Sequence, residues 1–370
     1  MIIFEVLLYA FIVIVVVQLV FYGFIFGKFA AAKQRNVSNS HQPVSIIICA
    51  KNEAKNLKKN LPLILSQSYP TFEVVLINDS SSDKTLEVME TFKDDNEHIK
   101  IVNVQPLEKF WGNKKYALTL GIKAAKYNTL LFTDADCKPM SKHWINEMSA
   151  RFDPEKTLVL GYGPYQKVKG SLLNLLIRFE TFMTAVQYFS YTNIGLPYMA
   201  VGRNLAYRKE LFFEANGFMN HMNIKSGDDD LFVNQTATPK NTVICISKNS
   251  FTESIPKKTF KSWLLQKRRH ISTASHYKLK HKILLSLFYC SQFLFWALAI
   301  IIISFCYKWE LVLGLIFLRF IIQYTTLYFA SAKLDEKNLL IYAPILEFLL
   351  VILQFFIFMQ NLSSKPKHWK

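Results

Sequence analysis

The chain has 370 residues, 51% of them hydrophobic, and a formal net charge of +17. This length and composition allow a large core and more than one folded unit. The positive charge does not indicate a nucleic-acid partner, because no zinc-finger, basic-leucine or RNA-recognition pattern is present. Much of the charge lies beside apolar segments or in the basic stretch 257–270, where anionic lipid head groups attract Lys and Arg.

Residues 2–26 form an apolar run that is long enough to cross a membrane, which takes about 20 residues. The basic residues Lys28, Lys33 and Arg35 follow this run, whereas an acidic residue lies near its start. This distribution predicts an uncleaved anchor over residues 1–28 whose C-terminal end faces the cytoplasm. A cleaved signal peptide is the alternative, but its positive charge would precede a shorter apolar region.

The middle of the chain has the composition of a soluble domain. Between residues 43 and 162, short apolar runs alternate with helical patterns, which is typical of an α/β fold with a parallel sheet covered on both faces. The predicted strands are 44–49, 73–78, 99–104 and 129–134, and the predicted helices are 53–67, 83–94 and 114–126. Cys49, Cys137 and Cys245 are expected to be reduced core residues, since disulfides are rare in the cytoplasm.

Polar segments follow three of these strands: "AKNEA", "NDSSSD" and "DADC". Because ligands of parallel sheets bind beyond the carboxyl ends of the strands, we expect these segments to share one edge. Asp79 ends the second strand. Its alternative role is an Asx-turn or a helix cap, but Asp83 fits that cap better and leaves Asp79 available to a ligand.

Asp134 and Asp136 are separated by one residue, so in an extended chain their side chains point to the same side. Paired carboxylates at a strand end suit Mg²⁺ or Mn²⁺, which share their remaining positions with substrate phosphates. The alternative is a turn in which the two aspartates cap the following helix.

The segment "SGDDDLFVNQTA" at 226–237 places three consecutive acids at the start of an amphipathic helix. The helix dipole favours one or two of them. Mutual repulsion of all three indicates a nearby metal or a raised pKa, and a carboxylate here could remove a proton from an attacking hydroxyl.

Two further segments are predicted to be interfacial helices, near 171–191 and 259–276. In the second, Gln266, Arg269 and His270 occupy adjoining helical positions. A basic amphipathic helix lying on the membrane is one interpretation. The other is that Arg269 or a neighbour holds a diphosphate or an acceptor.

The region 283–360 is mostly apolar and predicts about three transmembrane helices, near 283–306, 309–330 and 338–360. Lysines just before the first span again place the middle domain in the cytoplasm. The basic tail then falls outside, so either one segment is re-entrant or the tail is an exception. Arg319 and Glu347 are expected to face protein, a cavity or a lipid acceptor.

Taken together, residues 43 to 276 resemble a membrane-bound family-2 inverting glycosyltransferase with a GT-A fold. The opening from "VSIIIC" to "NDSSSDKT", then "GNKKYAL", "TDADC", "VGRNLAYRKELFFEANGF", "SGDDDLF" and "QKRRH" match the family's segments in order. The resemblance implies a Rossmann-like, mostly parallel sheet in a catalytic domain at 43–280. It also implies Mg²⁺ or Mn²⁺ as cofactor and a nucleotide-sugar as donor.

The resemblance further implies a role for each matching residue. The nucleotide-sugar would be contacted by Ala50, Asn52, Glu53, Asp79, Lys114, Asp134 and Asp136, with Asp79 at the base or ribose and Lys114 near the diphosphate. The metal would be held chiefly by Asp136, with help from Asp134. The catalytic base would be Asp228 or Asp229, and the acceptor or diphosphate would be contacted by Gly202, Asn204, Gln266, Arg269 and His270.

Two positions depart from the family pattern. Gly227 lies where the family often has Glu, which leaves both Asp228 and Asp229 as possible bases. His270 replaces the usual Trp, which weakens the case for a processive polymerase.

The expected function is transfer of a sugar to a lipid or lipid-linked acceptor by an enzyme of the inner membrane whose catalytic domain faces the cytoplasm. A processive polysaccharide synthase is the first alternative. An inactive membrane scaffold or transport component and a metal-dependent nucleotidyltransferase are the others.

Overall fold

The computed structural model describes residues 2–33, 41–105 and 114–363. The chain divides into two compact units, here called the sheet unit and the helical unit. The sheet unit consists chiefly of Gln34–Gly170 and Pro197–Ser262. The helical unit consists of Met1–Lys33, Ser171–Leu196 and Trp263–Pro366.

This division differs from the continuous domain at 43–280 that the sequence suggested. The helix that contains most of the predicted interfacial segment 171–191 belongs to the helical unit, as does the chain from Trp263 onward. The sheet unit is therefore discontinuous in sequence.

The strands within the described residues are β1 Val44–Ala50, β2 Phe72–Asp79, β3 Ile99–Val104, β4 Thr129–Phe132, β5 Cys137–Pro139, β6 Leu158–Leu160, β7 Leu205–Arg208, β8 Thr242–Ile244 and β9 Thr252–Ser254. Seven of them form the main sheet, in the order β3-β2-β1-β4-β7-β6-β8. Strands β1, β2, β3 and β4 pair in parallel, and β7 runs antiparallel to both of its neighbours. A separate two-stranded sheet joins β5 and β9.

Helices cover this sheet and fill the helical unit. The first, Ile2–Ala31, contains a π-helical stretch at Val20–Phe26. The remaining α-helices are α2 Ala54–Leu65, α3 Thr85–Asp94, α4 Lys114–Ala124, α5 Trp144–Ser149, α6 Leu172–Asn193, α7 Lys209–Glu214, α8 Asp230–Thr236, α9 Phe260–Thr273, α10 Leu279–Ser304, α11 Trp309–Leu334 and α12 Ala343–Ser363. Ile2–Ala31 is called α1 below.

The four strands predicted from the sequence are confirmed, with ends that differ by one or two residues. Their continuous apolar runs are buried, as expected for strands with helices on both faces. The sheet-unit core on one face joins β1, β2 and β3 to α2, α3 and α5. Because β1, β2 and β4 are parallel, their carboxyl ends lie at one edge, and the order reverses between β1 and β4.

Among its described residues, the helical unit has four helices long and apolar enough to cross a membrane: Ile2–Ala31, Leu279–Ser304, Trp309–Leu334 and Lys337–Ser363. The prediction of one N-terminal and three C-terminal spans is confirmed at the level of length and composition. Leu8, Phe11 and Val15 of α1 pack with Phe295 and Val312 in the interior of this unit.

Arg319 and Glu347 face protein, which is one of the outcomes expected for charged residues within the spans. The Arg319 guanidinium is fully buried and forms a two-point ion pair with the Glu347 carboxylate. It also donates to Gln18 Oε1 at 3.0 Å and to Gln323 Oε1 at 2.5 Å. The pair therefore joins α1, α11 and α12 through side-chain hydrogen bonds.

Candidate active site

A pocket opens at the carboxyl edge of β1 and β4, beside the point where the strand order reverses. Its empty space is about 340 Å³, including the part open to solvent. The polar lining consists of Cys49, Lys114, Thr133, Asp134, Gly202, Asp228 and Asp229. The apolar lining consists of Ile47, Leu118, Phe132, Leu205 and Tyr207.

Lys114 connects two of the motifs found in the sequence. Its Nζ atom lies 3.1 Å from Asp134 Oδ1 and 2.9 Å from Asp228 Oδ2. The side chains of Lys114 and Asp228 are only 16% and 11% exposed, so solvent screens this pair weakly. The "DADC" and "SGDDDLF" segments, separated by about 90 residues in sequence, are thus brought together by one ammonium group.

Electrostatics keeps both partners of the Lys114–Asp228 pair charged. Burial favours the neutral acid at Asp228, but the charge and hydrogen bond of Lys114 lower the pKa of this carboxyl below its ordinary value. Burial likewise opposes the charged form of Lys114. Asp134 and Asp228 outweigh it and raise the pKa of Lys114 well above its ordinary value.

Asp229 is held differently from its neighbour. Its Oδ2 accepts a hydrogen bond from the Gly202 N–H at 2.6 Å, and its Oδ1 accepts from the Asp230 N–H at 2.8 Å, where α8 begins. Burial, followed by the negative charges of Asp228 and Asp230, raises the pKa of Asp229 to about 7. A Cβ at position 202 would lie 3.2 Å from Oδ2, so Gly202 permits the close approach.

The backbone conformation at residue 227 explains why this position is Gly and not the Glu that the family often has. Its φ angle is +92°, in the left-handed region that glycine adopts without a steric penalty. A Cβ there would lie 2.5 Å from the Leu231 side chain. The turn that presents Asp228 and Asp229 to the pocket therefore requires glycine at its start.

Asp134, Asp136 and Cys137 bring one ligand atom each within 4.8 Å of one another. Burial, then the charges of Asp134 and Glu53, raise the pKa of Asp136, and Arg203 only partly opposes this. Such crowded negative charge is relieved by a cation, and carboxylate oxygens are ligands that Mg²⁺ and Mn²⁺ prefer.

The thiol of Cys137 does not fit a hard-cation site. Burial, followed by the charges of Asp136 and Asp134, raises the pKa of Cys137 well above its ordinary value, so it stays protonated. Its Sγ lies 3.1 Å from Ser254 Oγ. The two aspartates therefore fit Mg²⁺ or Mn²⁺, and Cys137 is a core residue of β5, as predicted.

Arg203 is a charged residue at this site that the sequence analysis missed. It donates to Ser254 Oγ at 3.0 Å, and its guanidinium carbon lies 4.4 Å from the centroid of the Tyr165 ring. Burial opposes its charge, but Tyr165, Cys137, Asp134 and Asp136 raise the pKa of Arg203. The signal in the sequence was its position in "VGRN", between Gly202 and Asn204, which were both predicted to be site residues.

The side chain of Asn204, for which an acceptor contact is predicted, forms its hydrogen bonds within the protein. Its side chain is fully buried, and both of its amide hydrogens are used by main-chain carbonyls, those of Tyr162 at 2.8 Å and Ser250 at 2.7 Å. Its Oδ1 accepts from Trp144 Nε1 at 3.1 Å. No amide hydrogen of Asn204 remains for an acceptor in this structure.

The loops after β1 and β2 are joined by side-chain hydrogen bonds. Asn52, with a φ of +57°, accepts from the Ser82 N–H at 2.8 Å. Asp83 accepts from the Thr85 N–H at 3.0 Å and from the Ala54 N–H at 3.4 Å, so it caps the neighbouring helix starts as predicted.

Ala50, Glu53 and Asp79 lie on these loops or at the strand ends that precede them. Asp79 is buried at the end of β2, and burial raises the pKa of its carboxyl, against the charges of Lys51 and Lys114. None of these residues, nor Asn52 or Asp136, is among the described residues that line the pocket. They share its sheet edge, as expected from the parallel pairing.

Lys115 was also missed by the sequence analysis. It is buried, and its Nζ donates to the carbonyl oxygens of His221 at 2.7 Å and Ile224 at 3.0 Å. Burial lowers the pKa of Lys115 to about 8, although the acids Asp228, Asp230 and Asp229 oppose this. Lys115 thus anchors the segment that leads into the acidic turn.

Comparison with known proteins finds a family match for part of the chain. Residues 45–213 match the family model Glycosyl transferase family 2. The chain carries a family-2 glycosyltransferase domain. This finding confirms the resemblance recognised in the sequence over the matched residues.

Two curated relatives of this glycosyltransferase have informative names. The poly-β-1,6-N-acetyl-D-glucosamine synthase of Staphylococcus epidermidis is 36% identical over 103 residues, 27% of this chain and 24% of the relative. Glycosyltransferase AglE of Haloferax volcanii is 28% identical over 193 residues, 50% of this chain and 58% of the relative. The matched part of this chain therefore spans about a quarter and just over half of their lengths.

The fold extends beyond the matched domain. The structure of mannosyltransferase PcManGT from Pyrobaculum calidifontis, in complex with GDP-Man and Mn²⁺, is similar with a TM-score of 0.61. Sequence identity is 17%, and the similarity covers 90% of this chain and 98% of that chain. The GT-A fold of this glycosyltransferase is thus confirmed.

Gln266, Arg269 and His270 of the glycosyltransferase lie on the part of α9 that belongs to the helical unit. Gln266 and Arg269 are half-buried, and His270 is exposed. Arg269 Nη2 lies 3.5 Å from His270 Nε2. Their contact with an acceptor or diphosphate stays a prediction. Residues 112 and 113, the first two of "GNKKYAL", lie outside the described residues.

Proposed function

We propose that this glycosyltransferase moves a sugar from a nucleotide-sugar to a lipid or lipid-linked acceptor, with inversion at the anomeric carbon. The observation that carries the proposal is the position of Lys114, between Asp134 of the metal motif and Asp228 of the acidic turn. A leaving diphosphate is stabilised by positive charge, whereas an attacking hydroxyl needs a base that accepts its proton. This pocket holds a cation and a carboxylate within hydrogen-bond distance of each other.

Asp228 is the proposed general base. Its lowered pKa keeps it ionised at neutral pH, and an ionised carboxylate can accept the proton of an acceptor hydroxyl. General base catalysis of this kind contributes about 10²–10⁴-fold. Asp229 is better suited to positioning the turn, because both of its oxygens already accept main-chain hydrogen bonds.

Asp136, with help from Asp134, would hold Mg²⁺ or Mn²⁺. When bound, the cation supplies positive charge that stabilises the leaving diphosphate. Lys114 adds positive charge for the same group, and the charge of Arg203 partly offsets the raised pKa of Asp136. Ala50, Asn52, Glu53 and Asp79 would hold the nucleotide, with Asp79 at the base or ribose.

We further propose that the enzyme lies in the inner membrane with the sheet unit in the cytoplasm. The basic residues that follow α1 and precede α10 support this orientation. The amphiphilic helix α6 groups with the four spans, which supports an acceptor delivered from the lipid phase.

A polysaccharide synthase is the second candidate, favoured by the named relative from Staphylococcus epidermidis. His270 in place of Trp and the small number of spans favour a single transfer. Product length on a defined acceptor distinguishes the two functions, because a synthase yields a ladder of products and a single transfer yields one.

Donor identity is tested by thermal unfolding of the purified chain with a panel of nucleotide-sugars, with and without Mn²⁺. We expect one donor to raise the melting temperature, and to do so more strongly with Mn²⁺, because a ligand that binds only the folded state stabilises it. Release of pyrophosphate in place of a nucleoside diphosphate would identify a nucleotidyltransferase and contradict the proposal.

A further inference from the structure

A second cavity lies within the helical unit, among α6, α10 and α12. Its empty space is about 400 Å³, including the part open to solvent. The cavity is amphiphilic. Its apolar lining is Phe179, Met183, Phe288, Leu350 and Val351, and its polar lining is Glu180, Thr184, Gln187, Gln292, Glu347 and Gln354.

The two carboxylates of this cavity are already neutralised by cations that do not line it. Glu180 forms an ion pair with Lys267 and accepts a hydrogen bond from Thr184 Oγ1 at 3.1 Å. Glu347 forms the buried ion pair with Arg319. Glu347 also accepts from Tyr22, Gln292 and Gln323, so both of its oxygens are used. Glu180 keeps acceptor capacity for a hydroxyl group, and neither carboxylate needs a further positive charge.

The cavity is poorly suited to a phosphate. Among the residues of the described chain that line it, none is Lys, Arg or His. An anionic head group would therefore lie beside two carboxylates in a partly dehydrated site without a cation to bind it, which is unfavourable. Uncharged hydroxyl and ester groups have no such penalty.

Two amides of the lining have hydrogen-bonding capacity to offer. In the part of the chain that the structure describes, the side chains of Gln187 and Gln354 have no protein hydrogen-bond partner, and both are half-buried. Gln292 differs, because its amide donates to Glu347 at 3.0 Å and to Tyr22 at 3.3 Å. An amide offers both donors and an acceptor, which matches a ligand hydroxyl.

We propose that this cavity binds the uncharged, hydroxyl-bearing head group of a lipid, with the adjoining hydrocarbon against the apolar wall. Gln187 and Gln354 hydrogen-bond the head group, and Glu180 accepts from one of its hydroxyls. This inference rests on the proposed function in that it names the class of lipid from which the acceptor comes. A phosphate-bearing lipid is excluded by the same lining.

The test compares two lipids that differ by one phosphate, dioleoylglycerol and dioleoylphosphatidic acid, and measures how much of each the purified full chain retains in detergent by mass spectrometry. We expect dioleoylglycerol to be retained at least about tenfold more. The double variant Gln187→Leu/Gln354→Leu should lower retention about tenfold, the effect of losing two ordinary hydrogen bonds. Thr325→Val, an exposed hydroxyl of α11 that bonds its own helix, is the matched control and should retain dioleoylglycerol normally.

Equal or stronger retention of phosphatidic acid overturns the inference, as does a folded double variant that retains dioleoylglycerol like the wild type. The two-lipid comparison uses the wild-type chain, so a variant that fails to fold does not remove the test. The assay needs no donor. A chain that transfers sugar but does not retain dioleoylglycerol contradicts this inference alone, and a chain that retains it but transfers no sugar contradicts the proposed function.

Discussion

Asp134 and Asp136 are unequal at the residue scale, although the sequence presents them as a pair. Asp134 is paired with Lys114 at 3.1 Å, whereas burial, followed by the charges of Asp134 and Glu53, raises the pKa of Asp136. A cation would relieve this crowded negative charge. We expect Asp136→Asn to lower turnover on the order of a hundredfold and to weaken Mn²⁺ activation. Asp134→Asn should cost about tenfold.

The measurement is initial rate against Mn²⁺ concentration for both variants. Thermal unfolding of each protein provides the folding control. A larger loss in Asp134→Asn than in Asp136→Asn would contradict the assignment of Asp136 as the principal ligand.

Asp229 predicts a specific pH dependence of stability. Its folded-state pKa is about 7 and its unfolded value is about 3.9. Protonated Asp229 stabilises the folded state fully at pH values below the unfolded-state pKa. This stabilisation is lost as the pH rises through the folded-state pKa, because the carboxyl ionises at a lower pH in the unfolded chain than in the folded one. Asp229→Asn does not titrate, so its melting temperature relative to wild type should rise by a few degrees between pH 5 and pH 8.

Using the difference between the two pH values cancels any constant penalty of the amide, whose N–H₂ cannot accept from Gly202. Asp94→Asn, at an exposed position of α3, is the matched control. If the melting temperatures of Asp229→Asn and wild type differ by the same amount at pH 5 and at pH 8, the raised pKa of Asp229 is contradicted.

Individual site residues could be selected from the sequence only where they belonged to a motif. Lys114 and Asp228 were found in this way, but their ion pair depends on the meeting of segments that are distant in sequence. Arg203 was missed because its interaction with Asp134 and Asp136 depends on the fold and cannot be identified from the sequence. Asn204 was selected by its motif, yet packing uses all of its amide hydrogens.

At the scale of elements, the start of α8 depends on Gly227. Replacing it by Ala places a Cβ 2.5 Å from Leu231 at a φ of +92°, so we expect a loss of about 1–3 kcal/mol in the free energy of unfolding. Activity should fall further than stability alone explains, because the turn positions Asp228 and Asp229.

Gly170→Ala is the matched control. Gly170 also has a positive φ, +75°, but nothing lies within 4 Å of its Cβ position. Chemical denaturation of both variants measures the difference. Equal destabilisation by the two substitutions would show that the contact with Leu231 does not contribute.

The strands and helices that the sequence predicts correctly are those with a long apolar run or a long helical periodicity. The apolar runs of β1 and β2 fix seven and eight residues in strands, and the helices between them follow the helical period. Strands β5, β6, β8 and β9 have three residues each, and pairing with neighbours decides them. No local signal in the sequence distinguishes such short strands from loops.

At the scale of the whole molecule, the buried Arg319–Glu347 pair joins two consecutive spans, α11 and α12. Arg319→Met leaves an uncompensated buried carboxylate and should lower the free energy of unfolding by about 3–5 kcal/mol. The double variant Arg319→Met/Glu347→Leu removes both charges and should recover at least half of this loss.

Thermal unfolding in detergent compares the three proteins. A double variant less stable than Arg319→Met would contradict the account of an ion pair whose main effect is mutual neutralisation. The sequence indicated that both residues face away from lipid. It did not pair them, because 28 residues and a helix connection separate them.

The four spans were predictable because hydrophobic length is a property of composition, whereas the grouping of α6 with them was not. Arg178 and Glu180 interrupt its apolar pattern, and the sequence therefore suggested an interfacial helix. In the structure Arg178 pairs with Glu336 and Glu180 pairs with Lys267, all within the helical unit. Each charge is neutralised by its buried partner, so these residues can lie inside the helical unit although the sequence pattern suggests an exposed polar face.

The most direct test of the central claim is transfer of a radiolabelled sugar from the donor to lipid-extractable product by the purified full chain with Mn²⁺, compared with Asp228→Asn. The wild type should release one nucleoside diphosphate for each sugar transferred. Asp228→Asn should bind the donor but transfer about 10²–10⁴-fold more slowly. Transfer by Asp228→Asn at the wild-type rate, or no metal-dependent transfer by the wild type from any donor, would contradict the account.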